Sequence, residues 1–520
     1  MALRTENRPR ASRLPFGLLA VLTVASAVAI APEGRAAAAV GDPPQLPLPN
    51  VVLIMTDDQP ASTATPAAMP NLHRLLIGQG TSFSNYVVTT PLCCPSRATT
   101  ITGQYGHNNG VLRNDYADLI GKRNVLPAWL QRAGYNTAHV GKFLNGFGSF
   151  LASQKEVAPG WDFWFTQFEN KAYYDWKASK NGRSVSFGDD DSDHLTEVTN
   201  RRAANWTRKL VKKPDPFYLQ VDYYAPHGAP GRDRRCLFGP VPAPQDEGVF
   251  DQQPLAQPPN FNEADVSDKP ALIAGKPLLG PAAVEQITRR YRCTLESLLG
   301  VDRGIAKIYN AVARRGELGR TVFIFTSDNG YYLGEHRIDR GKLEPYDENL
   351  RMPLTMLLPP AYRDGAPLVA DVDDLSANID LAPTILDLAG AAPCRRASKC
   401  RRLDGRSLRP LLSGSGDDFA GREMMIELNT CQYRGVRTQR EMYLEYGTGP
   451  LPTNGRCKPT AVEHYDIADD PYQLENIYPA PRRSPDGRLE LELQRRMAEL
   501  ADCSGIAGRD PVPESGTYCG

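Results

Sequence analysis

The chain predicts an α/β fold, a large and mostly parallel central sheet with helices on both faces, and three observations carry that expectation. Two short β-rich apolar runs, Asn50–Thr56 (NVVLIMT) and Thr321–Thr326 (TVFIFT), stop abruptly at polar residues, as strands buried on both faces do. Helical stretches fill the chain between them, one from Val125 to Ala133 closed by Gly134 and a longer one from about Ala283 to Arg315. Each apolar run also ends in acids, Asp57 and Asp58 after the first, Asp328 and Asn329 after the second. In sheets of this kind ligands gather at the carboxyl ends of the strands.

Taken in order, the first forty residues read as an export signal. Arg4, Arg8, Arg10 and Arg13 precede an apolar run from Leu14 to Ala31, and the small residues Ala36 to Ala39 supply a cleavage site, so residues 1–39 are expected to be removed. An uncleaved anchor is the alternative, and Pro32, Glu33 and Arg35 before the alanine cluster speak against it. No later segment is apolar enough to cross a bilayer. The mature protein is therefore expected to be secreted, to an extracellular or periplasm-like compartment, with no stable membrane insertion. Residues 40–412 read as the catalytic domain. Within it, Ala225 to about Pro281 is rich in Pro, Gly and polar residues and reads as a long surface excursion. After Leu412 the segment SGSGDD resembles a linker, and residues 413–520 read as a C-terminal subdomain. EMMIEL, REMYLEY and EHYDI predict a small antiparallel sheet there, with a helix near Leu489–Leu500.

Lys plus Arg number 60 and Asp plus Glu number 60, so no global field draws the chain to nucleic acid or anionic lipid. An anionic substrate must be caught locally. Of the 10 cysteines, Cys93 and Cys94 are adjacent; the others, at 236, 293, 394, 400, 431, 457, 503 and 519, suit disulfides in an exported chain. Their pairing is not fixed by sequence, and nearest-neighbour pairing is the simplest guess.

The chemistry concentrates in a few motifs. Cys93-Cys94-Pro95-Ser96-Arg97 runs into ATTITG, a loop entering a helix start, where anions and nucleophiles are stabilised. On physics alone Cys93 could be a reactive thiol, half of a redox pair or an ordinary buried cysteine. Asp57, Asp58, Asp328 and Asn329 offer hard oxygen donors from two strand tips, a set that suits Ca²⁺ or Mg²⁺ and disfavours zinc. Arg97, Lys142 in GKFLNG, His227 in APHGAP and Lys342 in GKLEPYDENLRMPL add the directed donors that a tetrahedral oxyanion needs.

Together these motifs resemble the type I, formylglycine-dependent sulfatases, with Cys-x-Pro-Ser-Arg followed by Thr102-Gly103. The likeness extends through NVVLIMTDDQ, LPAWLQRAGYNTAHVGKFLNGFG, FIFTSDNGYYLGEHR, NIDLAPTILDLAG, DGRSLRPLL and HYDIADDPYQLEN. GKFLNG and FNEADVSDKP are similar to the branch containing N-acetylglucosamine-6-sulfatases, heparan endosulfatases and bacterial arylsulfatase-like relatives. The resemblance implies an alkaline-phosphatase-like fold and hydrolysis of a sulfate ester. It implies that a formylglycine-generating enzyme oxidises Cys93, and that Asp57, Asp58, Asp328 and Asn329 hold calcium together with the product. Arg97 would steady the formylglycine hydrate, while Lys142, His227 and Lys342 would bind sulfate and assist the leaving oxygen. The substrate class implied is a sulfated small molecule or sulfated glycan.

One position departs from the pattern. Many sulfatases carry a histidine two residues after the GK lysine, where this chain has Leu144; His107 or Asn145 is the expected substitute. The alternatives are a phosphoester or phosphonate monoester hydrolase on the same fold and a secreted binding protein without turnover.

Overall fold

The computed structural model describes residues 46–148, 155–168, 172–229, 235–236, 238–394, 400–428, 432–447 and 459–520. The segment read as an export signal lies outside them. The first strands are β1 (Asn50–Thr56), β2 (Thr81–Phe83), β3 (Tyr86–Val87), β4 (Asn136–Gly141), β5 (Phe163–Gln167), β6 (Lys177–Lys180), β7 (Arg183–Ser186) and β8 (Phe217–Asp222). After a long helical stretch come β9 (Thr321–Ser327), β10 (Leu354–Leu357), β11 (Asp371–Val372) and β12 (Ser376–Ala377). The C-terminal strands are β13 (Met424–Leu428), β14 (Tyr433–Arg437), β15 (Glu441–Gly447) and β16 (Pro459–Asp466).

Ten strands form one sheet in the order β11-β2-β10-β9-β1-β8-β4-β5-β6-β7. Its centre, from β9 through β5, is parallel, and β1 pairs in parallel with β8 on one side and β9 on the other. All seven residues of β1 are buried. Alternate side chains feed opposite faces, which explains a continuous apolar run. Val51 and Leu53 join a core with Trp129, Leu381 and Ile385. Val52 and Ile54 join the other, formed with two helices, α2 (Leu195–Leu210) and α3 (Pro281–Ala313). Before them in the chain stands α1 (Cys93–Thr102), buried along its whole length.

Helices α2 and α3 approach closely at Gly304, where a Cβ would collide with the Tyr223 hydroxyl and with Asn200 Oδ1. Those two groups are themselves hydrogen-bonded at 2.7 Å. A glycine is therefore required at this crossing.

The segment from Ala225 to Pro281 is irregular, as read, but it is not a surface excursion. Asn260, Glu263, Val266, Lys269 and Ile273 are buried in it. Glu263 meets His336 Nδ1 at 2.7 Å, Lys269 donates to the Leu474 carbonyl at 3.0 Å, and the Cys236–Cys293 disulfide pins the segment to α3. Side-chain pairing, rather than an apolar period, buries it, so its composition misleads.

Strands β13 to β16 form the expected antiparallel sheet, covered by α4 (Pro485–Leu500). Met424, Met425 and Val436 pack with Leu493, Met497 and Leu500, whereas Ile426, Leu428, Met442 and Leu444 join the core of the main sheet. Residues 47–520 make one compact unit. Cys394–Cys400 and Cys503–Cys519 pair as nearest neighbours, as does Cys236–Cys293; Cys431 and Cys457 lie outside the described residues. Among the described residues no helix is long and apolar enough to cross a membrane.

Candidate active site

Four parallel strands deliver the site at their carboxyl ends. β1 ends in Asp57 and Asp58, and Asp58 sits in the left-handed region at φ 62. That conformation is costly for a side chain larger than glycine, and aspartate tolerates it better than most. It is held by the Asp58 N–H, which donates to Asp328 Oδ1 at 3.2 Å across the gap to the end of β9. β4 ends in Gly141 at φ 113, where a Cβ would run into the Asp222 carbonyl at the end of β8. This contact lets the Lys142 N–H donate to the same carbonyl at 2.8 Å and sends the Lys142 side chain into the site.

Cys93 is the first residue of α1, rather than lying just before it, and Leu92 in the cap position contributes no side-chain hydrogen bond. The thiol is 2% exposed. It approaches Asp57 Oδ1 at 3.6 Å and receives Lys342 Nζ at 2.6 Å. Arg97, one turn further along α1, donates from Nε to Asp328 Oδ2 at 2.7 Å, from Nη2 to Asp57 Oδ2 at 3.3 Å and from Nη1 to the Lys142 carbonyl at 3.0 Å. Lys142 pairs with Asp57, and Lys342 with Asp58. His227 Nδ1 lies 2.6 Å from the Gly228 carbonyl, to which it donates; Nε2 faces Asp58 Oδ2 at 3.6 Å.

The electrostatics follow from this packing. Burial would raise the carboxyls of Asp57 and Asp58, but Lys142, His227 and Arg97 around the first, and Lys342 and His227 around the second, hold both below the usual range. Burial, helped by Asp57, pushes the Cys93 thiol up to about 12. An unmodified Cys93 is thus a protonated thiol and a poor nucleophile. Burial also lowers His227, outweighing the pull of Asp58 and Asp57.

Ligand atoms of Asp57, Asp58, Cys93 and His227 lie within 4.8 Å of one another, a set able to surround a cation. Asn329 Oδ1 is buried without a hydrogen-bond partner, while its Nδ2 donates to Asp58 Oδ1 at 2.7 Å. An orphaned carbonyl oxygen beside depressed carboxylates fits a hard divalent ion. Asp328 stands beside this group, with its oxygens engaged by Arg97 and the Asp58 N–H.

The nine predicted site residues therefore converge, and the proposed substitutes for the missing histidine separate. His107 is not at the site: Nδ1 meets Glu427 at 2.9 Å and Nε2 the Cys503 carbonyl at 3.3 Å. Leu144 is buried in the main core, and Asn145 lines a small cleft together with Lys142 and His227. Sequence reading missed the layer behind Arg97. Asp222 Oδ1 lies 3.8 Å from the guanidinium, and its Oδ2 takes bonds from His139 at 2.9 Å and Gln220 at 2.8 Å. A third strand ending in an acid, FYLQVD, was the available signal.

The sulfatase family model matches residues 49–391, and the model of the C-terminal region of N-sulphoglucosamine sulphohydrolase matches residues 334–502. The chain belongs to the sulfatase family, and the sheet and site carry its alkaline-phosphatase-like fold. An arylsulfatase of Volvox carteri is 30% identical over 520 residues, covering 89% of this chain and 76% of the relative. Human N-acetylglucosamine-6-sulfatase is 28% identical over 506 residues, covering 89% and 86%. The chain spans about half, 49%, of a Sulf-1 homolog of Caenorhabditis elegans, to which it is 32% identical over 374 residues, 70% of this chain. Among solved structures, a protein in complex with its substrate D-glucosamine-2-N,6-O-disulfate superposes with TM-score 0.67 at 24% identity, covering 87% of this chain and 97% of the other. The phosphonate monoester hydrolase of Agrobacterium radiobacter does so with TM-score 0.64 at 19% identity, covering 90% and 99%. At these identities the two structures speak to the fold alone.

Proposed function

We propose that this chain hydrolyses a sulfate ester to an alcohol and inorganic sulfate, with Cys93 converted to formylglycine and calcium, or magnesium, held by Asp57, Asp58, Asn329 and Asp328. The observation that carries this reading is the position of Cys93. It stands at a helix N-terminus, against Asp57 and Lys342, where three further groups able to carry positive charge, Arg97, Lys142 and His227, meet the acidic strand tips. When present, the formylglycine hydrate supplies a hydroxyl nucleophile and the divalent ion draws charge from the sulfate oxygens.

The chain's own residues do the remainder. Arg97 locks Asp57 and Asp328 in register through a guanidinium that lysine could not replace. Asp57 Oδ1, 3.6 Å from the Cys93 sulfur, would accept a hydrogen bond from a hydroxyl at position 93 and orient it. Lys142 and, in its protonated form, His227 face the cleft and bind the sulfate oxygens, the histidine through Nε2. Lys342 stabilises the leaving oxygen, a task that Leu144 leaves without a second histidine. The substrate is a sulfated glycan or sulfated small molecule, in keeping with relatives named N-acetylglucosamine-6-sulfatase and arylsulfatase. Secretion follows from the export signal, and a formylglycine-generating enzyme is the maturation partner.

The test has two parts. Purified active protein is expected to cleave an aryl sulfate faster than the matching phosphate or phosphonate ester, and its peptide Pro91–Arg97 to carry formylglycine at 93 by mass spectrometry. Full activity with unmodified Cys93, or preference for the phosphonate, would overturn the reading.

A further inference from the structure

The cleft beside Lys142 and His227 holds more information than the sulfate site itself. The cleft is small and partly open to solvent. Phe143, Phe147, Phe168 and Tyr224 supply apolar walls, and two amides, Asn145 and Gln167, break them. Gln167 is only 9% exposed. Asn145 Oδ1 and Gln167 Oε1 are both enclosed by protein and have no hydrogen-bond partner.

These amides are held in place. The Asn145 carbonyl accepts the Tyr116 N–H at 2.6 Å and the Cys94 thiol at 3.7 Å, so the residue next to Cys93 sets the position of Asn145. Gln167 ends β5, whose parallel neighbour β4 leads directly into Lys142. The apolar wall is equally fixed: Phe143 and Phe147 pack edge-on against each other at 5.3 Å, and against Trp164 at 5.0 and 5.3 Å.

We propose that Asn145 and Gln167 are specificity-determining residues that bind the hydroxyl groups of a saturated, hydroxyl-bearing ring, so that the site takes a sugar sulfate in preference to an aryl sulfate. The proposal rests on the sulfate-ester reading above and adds the alcohol half of the substrate. A buried acceptor without a partner is unfavourable, and a ligand that supplies the partner recovers the loss on binding. A hydroxyl both donates and accepts, so it satisfies an amide turned either way. The C–H face of a sugar ring can lie on the phenyl walls while its hydroxyls reach the amides. A bare phenyl ring would fill the apolar part and leave both amides unpaired, and sites built to bond a hydroxyl discriminate strongly against analogues that lack it. Apart from Lys142 and His227, the described lining carries no cation, which favours a neutral ring over one bearing further anionic groups.

The test compares two primary sulfate esters, N-acetylglucosamine 6-sulfate and cyclohexylmethyl sulfate, which share a saturated six-membered ring and differ in polar groups. Wild-type enzyme is expected to favour the sugar in kcat/KM, and Asn145→Ala and Gln167→Ala each to reduce that preference at least tenfold. An unchanged preference in both folded variants would overturn the proposal and leave the sulfate-ester reading standing. A wild-type enzyme that cleaves neither these esters nor an aryl sulfate would remove that reading, and the proposal with it. Should either variant fail to fold, deoxy sugar sulfates on the wild-type enzyme decide the matter. Removing one ring hydroxyl at a time must cost at least tenfold at one or more positions, and uniform rates across the set would overturn the proposal.

Discussion

At the scale of single residues, Lys342 is the most informative. From sequence it could have been a surface lysine paired with Glu344 or Asp347, yet it is 13% exposed and bonds Asp58 and the Cys93 sulfur. Burial would lower its ammonium, but Asp58 and Cys93 hold it well above the ordinary lysine value, so it stays charged through the working pH range. A fixed positive charge here helps most where the departing oxygen develops most negative charge. Lys342→Ala is therefore expected to lower kcat ~100-fold or more for a sugar sulfate and much less for an activated aryl sulfate. Steady-state kinetics over a leaving-group series reads this directly, and an equal small loss across the series would return Lys342 to a structural role.

At the scale of elements, the strands that end in acids were legible because burial on both faces forces an unbroken apolar run, and a ligand site forces the polar stop. β1 and β9 show both signals. The short strands β2, β3, β11 and β12 have two or three residues each, too few for any period to register. Nor could sequence place His139 against Asp222, or Asn145 beside Gln167, since each pair depends on neighbours assembled from distant segments. Cys93 and its partners were readable by resemblance, whereas on residue chemistry alone the thiol stayed ambiguous. The crossing of α2 and α3 gives an element-level prediction. Gly304→Ala must displace the Tyr223–Asn200 pair, and overpacking of this kind costs ~1–3 kcal/mol. Thermal unfolding should show a Tm lowered by several degrees. An unaltered Tm would mean that the helices part without cost.

At the scale of the molecule, His107 joins the turn after α1 to the C-terminal sheet through Glu427. Burial alone would lower its pKa, but the Glu427 carboxylate outweighs burial and raises it to about 8, from an ordinary value of 6.5. Burial likewise opposes the Glu427 charge, and His107 holds that carboxyl below its ordinary 4.5. The histidine contribution is fully present below pH 6.5 and is lost as pH rises through about 8; the glutamate contribution is present above pH 4.5 and fades as pH falls. The pair should stabilise the fold by up to about 2 kcal/mol between those limits, because each tenfold gain in proton affinity on folding is worth roughly 1.4 kcal/mol. His107→Gln is expected to lower Tm clearly at pH 6 and far less at pH 9. An equal loss at both values would show that the contact is not ionic.

The burial of Cys93 also sets an order of events. A thiol 2% exposed beneath Lys342, on a helix with no exposed residue, cannot be presented to another protein without opening the core. On the proposed conversion of Cys93 to formylglycine, the maturation enzyme must act on the chain before α1 docks, and folding closes the window. Unmodified protein that has already folded is a terminal product: adding the maturation enzyme and oxidant should leave it inactive, while the same treatment during refolding from denaturant should yield activity. Rapid activation of the folded form would contradict this. On that proposal the yield of working enzyme is set by a race between oxidation and folding in the newly made chain, so that a variant which folds faster would emerge less active although its site is intact.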